Sequence, residues 1–301
     1  MSAADFYTLD DLRRWSEVGA SLQPPARVAV IGDPIAHSRS PQMHNPALAA
    51  RGLDMQYVRV HVPVGEVKVA LGLLAKNGFV GVNCTIPHKF EALEAMDVVD
   101  DLAEKLGAVN TVAIRENRLF GYNSDGPGFV NSMQEAFGCV LRELRVLVVG
   151  AGGGAGQAVA LQLALKGCRG LCLANRSVEK LSGLRDRCRE LNGSVPVETL
   201  SLEEVDAALG DVDLVVNATP MGMKEGGDGL FDFGRLRTRH FVYDMVYRAE
   251  GDTPLIAAAK EASAQTCDGL ALLLHQGAIS FGHWFGDPVP MEAMREGLRP
   301  V

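Results

Sequence analysis

The chain of 301 residues exceeds one compact core of ordinary size and, at about 150 residues per domain, divides into roughly two. Its 47% hydrophobic content is ample to offset chain entropy, which excludes intrinsic disorder. The 29 basic against 37 acidic residues leave a net charge of −8, so no chain-wide basic field awaits nucleic acid or an anionic membrane.

Residues 1–25 contain Phe6, Leu9, Leu12 and Trp15 at three-residue spacing, interrupted by Asp10, Asp11, Arg13 and Arg14. No export signal fits that pattern, whereas one face of a short amphipathic helix does. Thr8 is placed to cap it, with Asp11 three residues on, and the helix should end before Gln23-Pro24-Pro25. From Val28 onward, short β-branched runs alternate with helical stretches. Val28–Ile31, Tyr57–Val62 and Phe79–Asn83 read as strands, and 41–50, 66–76 and the stretch from Pro87 as helices. Such alternation predicts a mainly parallel sheet covered on both faces. Ala108–Ile114 and Arg118–Tyr122 read as a hairpin turning at Glu116-Asn117, because Asn tolerates a left-handed backbone.

A second series begins at Arg145–Val149 and continues through Gly170–Ala174, Val212–Asn217 and Phe241–Val246. The final helical stretch, Leu270–Phe285, is expected to pack back on the first unit. Two α/β units in one chain ordinarily leave a cleft at the carboxyl ends of their strands. The uncharged run Val146–Leu165 is long enough to span a bilayer, but five glycines between Gly150 and Gly156 make it a strand, a turn and a helix instead. Six cysteines form no Cys-x-x-Cys pair and the seven histidines no His-Glu-x-x-His, so neither a metal site nor a disulfide framework is expected. Buried free thiols suit a reducing cytoplasm.

Gly150-Ala151-Gly152-Gly153-Gly154-Ala155 lies between a strand and a helix, the setting a dinucleotide requires. Gly150 permits the tight turn, Gly152 lets backbone N–H groups approach a pyrophosphate, and Ala155 is the small residue for helix–sheet packing. At the end of the next strand, Asn175-Arg176-Ser177 offers a guanidinium where a carboxylate would grip a ribose 2′-hydroxyl, with Lys180 one turn later. A guanidinium grips a 2′-phosphate, so NADP is the expected cofactor. Ser177 is placed to cap the following helix.

Three further stretches concentrate short polar groups: His37-Ser38-Arg39-Ser40-Pro41, Asn83-Cys84-Thr85-Ile86-Pro87-His88-Lys89 and Tyr122-Asn123-Ser124-Asp125-Gly126. Ser40 followed by Pro41 reads as an N-cap and N1 pair, with Pro46 kinking or restarting the helix near Asn45. Two hydroxyls at such a helix start suit a carboxylate.

Together these stretches resemble the shikimate dehydrogenase family from Val28 to the C-terminal region. Its His-Ser-x-Ser-Pro matches 37–41, its Asn-x-Thr-x-Pro-x-Lys matches Asn83, Thr85, Pro87 and Lys89, and its Gly-Ala-Val-Asn-Thr matches 107–111. Its Asn-Thr-Asp-Gly is Asn123-Ser124-Asp125-Gly126 here, its Gln-x-Ala matches Gln276 and Ala278, and Tyr247 matches the tyrosine after 243–246. Four departures stand out: Ser124 for Thr, a glycine loop one residue longer, Pro220 for Ser, and Arg248-Ala249 for Asn-Pro.

The resemblance implies two α/β domains: 26–126 with 270–301 for substrate and catalysis, and a Rossmann-type 127–269 for NADP, after an N-terminal extension, 1–25. It implies reversible reduction of 3-dehydroshikimate to shikimate, with Lys89 as acid or base and Asp125 as its partner. Ser38 and Ser40 would hold the substrate carboxylate and Asn110 the ring hydroxyls, with Asn83, Thr85, Gln276 and Tyr247 completing the substrate set. Gly153, Thr219 and Gly269 join the cofactor residues above. The expected assembly is a cytoplasmic monomer or homodimer. A quinate/shikimate dehydrogenase using NAD or NADP, and a non-catalytic nucleotide or shikimate sensor, are the alternatives.

Overall fold

The computed structural model describes residues 6–223, 231–248 and 250–299. They form two compact units, one within Met1–Ser124 and Gln276–Val301, the other Asp125–His275.

In the first unit the strands are β1 (Tyr7–Thr8), β2 (Ala26–Gly32), β3 (Gln56–His61), β4 (Gly81–Cys84), β5 (Val98–Val99), β6 (Thr111–Arg115) and β7 (Arg118–Tyr122). Among the described residues they make one sheet in the order β1-β3-β2-β4-β6-β7-β5. Its pairings are parallel except β4 with β6 and β6 with β7. The antiparallel pair is the expected hairpin: Glu116 and Asn117 have φ of 52° and 59°, the left-handed pair that a two-residue turn requires. The helices are α1 (Leu9–Arg13), α2 (Trp15–Val18), α3 (Ser40–Ala50), α4 (Val67–Lys76), α5 (Lys89–Glu94) and α6 (Asp101–Leu106).

Residues 6–25 are part of this unit rather than an extension to it. Thr8 caps α1 in a reciprocal box with Asp11, as expected, but Phe6 lies outside the helix and faces the His61 ring. Tyr7 and Thr8 instead add an edge strand to β3. Leu9, Leu12 and Trp15 are buried with Ile31, Val60, Leu71 and Leu74 in one core, so the segment contributes apolar burial that a free arm would lack.

Two expectations about α3 are corrected. Arg39, not Ser40, is the cap residue, no side chain caps the helix, and Ser40 opens it. The helix also runs unbroken through Pro46. Asn45 bonds the Tyr57 backbone in both directions, donating to its carbonyl (3.1 Å) and accepting from its N–H (2.7 Å), which fixes α3 on β3 at that point.

In the second unit the strands are β8 (Arg145–Val149), β9 (Gly170–Ala174), β10 (Val197–Leu200), β11 (Leu214–Asn217), β12 (Phe241–Asp244) and β13 (Gln265–Cys267). They pair in the parallel order β10-β9-β8-β11-β12-β13, the doubly wound arrangement whose order reverses beside β8. The helices are α7 (Asp125–Phe137), α8 (Gly154–Lys166), α9 (Ser182–Leu191), α10 (Val205–Ala208), α11 (Pro254–Glu261) and α12 (Gly269–Phe285). The unit boundary falls at the start of α7 and within α12. From Gln276 the chain belongs to the first unit again: Trp284 donates to the Val112 carbonyl (3.0 Å), and α13 (Met291–Gly297) packs on α3. A Cβ on Gly297 would collide with the Gln42 carbonyl, the group Pro46 leaves without its helical donor. The expected return of the last long helix is therefore observed.

On the inner face of α3, His44 is 1% exposed and its ring stacks on Tyr57 at 4.5 Å. Neither ring nitrogen has a hydrogen-bond partner among the described residues, and burial pushes its pKa down to about 3. An open-chain histidine titrates near pH 6.5. Between those values the unfolded chain binds the extra proton, so stability is whole above pH 6.5 and falls as the pH drops toward 3. The slope from this group approaches about 1.4 kcal/mol per pH unit. Urea unfolding at pH 7 and pH 5 should show the wild type losing about 2 kcal/mol more than His44→Phe over that interval. Parallel losses in both proteins would acquit His44.

Candidate active site

In the first unit a continuous chain of largely buried polar contacts links the start of α3 with β3, β4, β6 and α12. It starts at Ser38, whose hydroxyl donates to Ser40 Oγ at 3.2 Å and accepts from the Ser40 N–H at 3.4 Å. The Ser40 hydroxyl interacts with the Tyr57 phenol, which burial raises well above its ordinary pKa. Tyr57 donates to Asn83 Oδ1 at 2.8 Å. Asn83 Nδ2 donates to the Asn110 carbonyl (3.1 Å), to Ser280 Oγ (3.0 Å) and to Thr111 Oγ1 (3.3 Å).

The far end is tighter still. Ser280 donates to the Gln276 carbonyl at 3.0 Å and Thr111 to Asn110 Oδ1 at 3.2 Å, and the two hydroxyls lie 2.7 Å apart. Ser124 donates its N–H to Asn110 Oδ1 (2.7 Å), and Asn110 Nδ2 reaches Ser124 Oγ (2.9 Å) and Gln276 Oε1 (3.5 Å). Ser38, Ser40, Asn83, Asn110 and Gln276, expected from separate stretches, are thus members of one network. Tyr57, Thr111 and Ser280 belong to it and were not expected. Ser280 lies four residues after Gln276 on the same helix face, a spacing that could have marked it.

Thr85 sits beside this chain. Its N–H donates to the Ile31 carbonyl (2.9 Å), and its methyl would collide with a Cβ on Gly32. Lys89 follows the cap residue His88 as the first residue of α5, half-buried, its carbonyl accepting from the Val109 N–H at 3.0 Å. The buried His88 ring bonds the Val62 carbonyl (2.8 Å), and Glu91 accepts from Gly65 and Val67 N–H groups, which fixes α5. Asp125 opens α7, in the second unit rather than the first, and is 6% exposed.

In the second unit β8 ends at Gly150, whose φ of 85° and contact with Thr219 leave no room for a Cβ. Its N–H and that of Ala151 donate to the Ala174 carbonyl (2.8 and 3.2 Å), which draws the turn over β9. Gly152 lies against the Asn175 side chain, which donates to the Ser177 carbonyl at 3.1 Å. Gly153 is the cap residue of α8 and supplies no side chain, so the first-turn N–H groups meet no capping group. The close-packing residue is Gly156, not Ala155: a Cβ there would strike the Gly150 carbonyl, whereas Ala155 is half-exposed. Ser177 does not cap: a 3₁₀ turn, Val178–Leu181, follows it with no side-chain bond.

Arg176 and Lys180 are exposed beyond β9. Thr219 is held by its N–H and hydroxyl on Asn217 Oδ1 (2.9 and 2.7 Å), and Asn217 bonds Asp244 at 2.8 Å. Burial raises the Asp244 carboxyl, while Thr253, the Val246 N–H and Asn217 stabilise its charge. Gly269 lies so close to the Met245 carbonyl that no side chain fits, and Tyr247 is half-buried after β12. Ala249, the last of the departures from the family pattern, lies outside the described residues. A turn without side chains, an open helix start and a guanidinium beyond the neighbouring strand fit a dinucleotide bearing a 2′-phosphate. Among the described residues no cluster of His, Cys, Asp and Glu could hold a metal, and no helix is long and apolar enough to cross a membrane.

Three family models match in chain order: the shikimate dehydrogenase substrate-binding domain at 30–112, shikimate/quinate 5-dehydrogenase at 132–222, and the shikimate 5′-dehydrogenase C-terminal domain at 269–299. Shikimate dehydrogenase (NADP(+)) of Symbiobacterium thermophilum is 40% identical over 276 residues, 90% of this chain and 93% of that protein. The Thermus thermophilus shikimate 5-dehydrogenase in complex with NADP(H) and shikimate superposes with a TM-score of 0.79 at 32% identity, over 90% of this chain and 98% of that one. Quinate dehydrogenase from Corynebacterium glutamicum in complex with NAD gives 0.80 at 32%, over 90% and 97%. With sequence, sheet order and polar network all in agreement, the chain belongs to the shikimate dehydrogenase family.

Proposed function

We propose that the chain is an NADP-dependent shikimate dehydrogenase, interconverting 3-dehydroshikimate and shikimate. The observation that carries this reading is the polar chain of the first unit, which ends in two serine hydroxyls at one side and in Asn110 and Gln276 amides at the other. A ring bearing a carboxylate and several hydroxyls needs those two kinds of partner. Ser38 and Ser40, beside the N-terminus of α3, suit the carboxylate. At the opposite end two long bonds, Asn110 to Gln276 at 3.5 Å and Ser124 to Gln276 at 3.4 Å, cost little to exchange for a substrate hydroxyl. Asn83 serves as a buried strut beneath them, Thr85 lines the adjoining turn, and Tyr247 contributes from the segment after β12.

When bound, NADPH supplies the hydride to the ketone carbon. Negative charge then develops on the ketone oxygen, and Lys89 hydrogen-bonds that oxygen and delivers its proton; in the oxidative direction it takes the hydroxyl proton back. Asp125 is the partner of Lys89 in this acid–base pair and accepts a hydrogen bond from the neighbouring substrate hydroxyl. On the cofactor side, Gly150, Gly152, Gly153 and the first turn of α8 take the pyrophosphate, with Gly156 allowing the close approach. Asn175, Arg176, Ser177 and Lys180 take the 2′-phosphate, and Thr219 and Gly269 shape the remainder of the site. Free thiols, five of the six buried, support a cytoplasmic enzyme.

The similarity to a quinate dehydrogenase makes the competing substrate concrete. A spectrophotometric assay of shikimate and quinate, each with NADP and NAD, should give the highest kcat/KM for shikimate with NADP. Higher kcat/KM with quinate or NAD would favour the other dehydrogenase, and inertness in all four mixtures a sensor. Lys89→Ala should lower kcat by about 10²–10⁴ with a smaller change in KM; undiminished turnover would remove Lys89 from the mechanism. Arg176→Ala should raise KM for NADPH far more than for NADH, and equal changes would place 2′-phosphate recognition elsewhere.

A further inference from the structure

Two arginines flank the serine turn, and they point to different tasks. Arg39, between the serines in sequence, sends its guanidinium to the carbonyls of Leu298 (2.7 Å) and Arg299 (3.3 Å). Arg59, on β3, instead donates from Nε to the Ser38 carbonyl at 2.7 Å and from a terminal nitrogen to Gln42 Oε1 at 3.0 Å. It therefore bonds the peptide of the first serine and a side chain in the first turn of α3. Its positive charge also reaches Tyr57, the residue beneath Ser40. Two residues along the same strand, His61 holds the Asp33 carboxylate at 3.0 Å.

We infer that Arg59 is a positioning residue that makes the serine turn select an anionic ring substituent. The inference rests on the reading that this turn receives the substrate carboxylate. A guanidinium fixed on the Ser38 carbonyl does two things there. It prevents the Ser38–Arg39 peptide from rotating, so both hydroxyls keep their spacing before substrate arrives. It also places a permanent positive charge beside the turn. The first effect favours any ligand that uses the hydroxyls; the second favours a carboxylate over a neutral group of the same shape. Because Arg59 acts on binding at the carboxylate end, its loss should raise KM and leave the chemical step nearly untouched.

The test uses full-length wild type, Arg59→Gln and Arg59→Lys, with shikimate and its neutral methyl ester as probes. Arg59→Gln should raise KM for shikimate by about 10- to 100-fold. Changes in kcat and in KM for NADP should stay within about threefold. Affinity for the methyl ester, measured calorimetrically, should fall by at least about threefold less than that for the acid, because the ester loses only the fixed spacing of the hydroxyls and not a charge partner. Arg59→Lys keeps the charge but not the fork and should recover part of the loss. Equal weakening of acid and ester, or a fall in kcat at unchanged KM, would overturn the inference. Should Arg59→Gln not fold, Arg59→Met, which also removes the charge, decides by the same comparison: a KM rise larger for acid than for ester supports the inference, and wild-type KM or an equal loss for acid and ester overturns it. Failure of the wild type to bind shikimate would refute the functional reading instead, a result separable from any behaviour of the variants.

Discussion

A side-chain amide carries two protons and can accept twice, and when it is buried each unmet group costs about 1–3 kcal/mol. Asn83, at the end of β4, meets this constraint by joining β3, β6 and α12 through Tyr57, the Asn110 carbonyl, Thr111 and Ser280. The sheet order explains why it can. β4 lies between β2 and β6, and the change from parallel to antiparallel pairing at β6 brings the Asn110–Thr111 corner beside it. Once Asn83 is placed, the hydroxyls of Thr111 and Ser280 lie beside it, and Ser124 and Gln276 are held by partners already in position. The outer groups, Ser124 and Gln276, are preorganised because removing any inner member leaves its neighbours unsatisfied.

The second unit meets a steric constraint with fewer polar contacts. The β8 turn can lie against Ala174, Thr219 and α8 only because Gly150 and Gly156 have no side chains there. Asn217 secures the neighbouring turn through Thr219 while bonding Asp244, whose other oxygen accepts from Thr253 at 2.6 Å. Backbone N–H groups at the start of α8 are thereby presented by a rigid frame, and a phosphate needs little else. Hydroxyls and amides do the work in one unit, and absent side chains do it in the other.

The long strands were legible because a parallel strand buried on both faces is a continuous apolar run; Val146–Val149 and Val28–Ile31 allow no other reading. β1 and β5 were not, since two residues carry no periodicity and their pairing is imposed by β3 and β7. In the site, residue types were legible and geometry was not. Ser40 followed by Pro41 looks like a cap, yet Ser38 takes the Ser40 N–H and displaces that role to the preceding residue. Gly-x-Gly-x-x-Ala points to Ala155, but the extra residue in the loop moves Gly156 onto the Gly150 carbonyl. Arg59 was invisible for another reason: its partner, Ser38, lies 21 positions away and is brought close only by the pairing of β3 with β2.

The departure at Ser124 shows which part of the network is indispensable. Serine and threonine share the hydroxyl, and the contacts of this side chain with Asn110, Thr111, Gln276 and Ser280 use that oxygen. A methyl group can be absent from a fully buried position at the cost of some packing. The hydroxyl cannot, because Asn110 and Thr111 would each lose a partner at a fully buried position. The constraint on this position is therefore one of hydrogen-bond bookkeeping rather than of shape, and Ser satisfies it as fully as Thr.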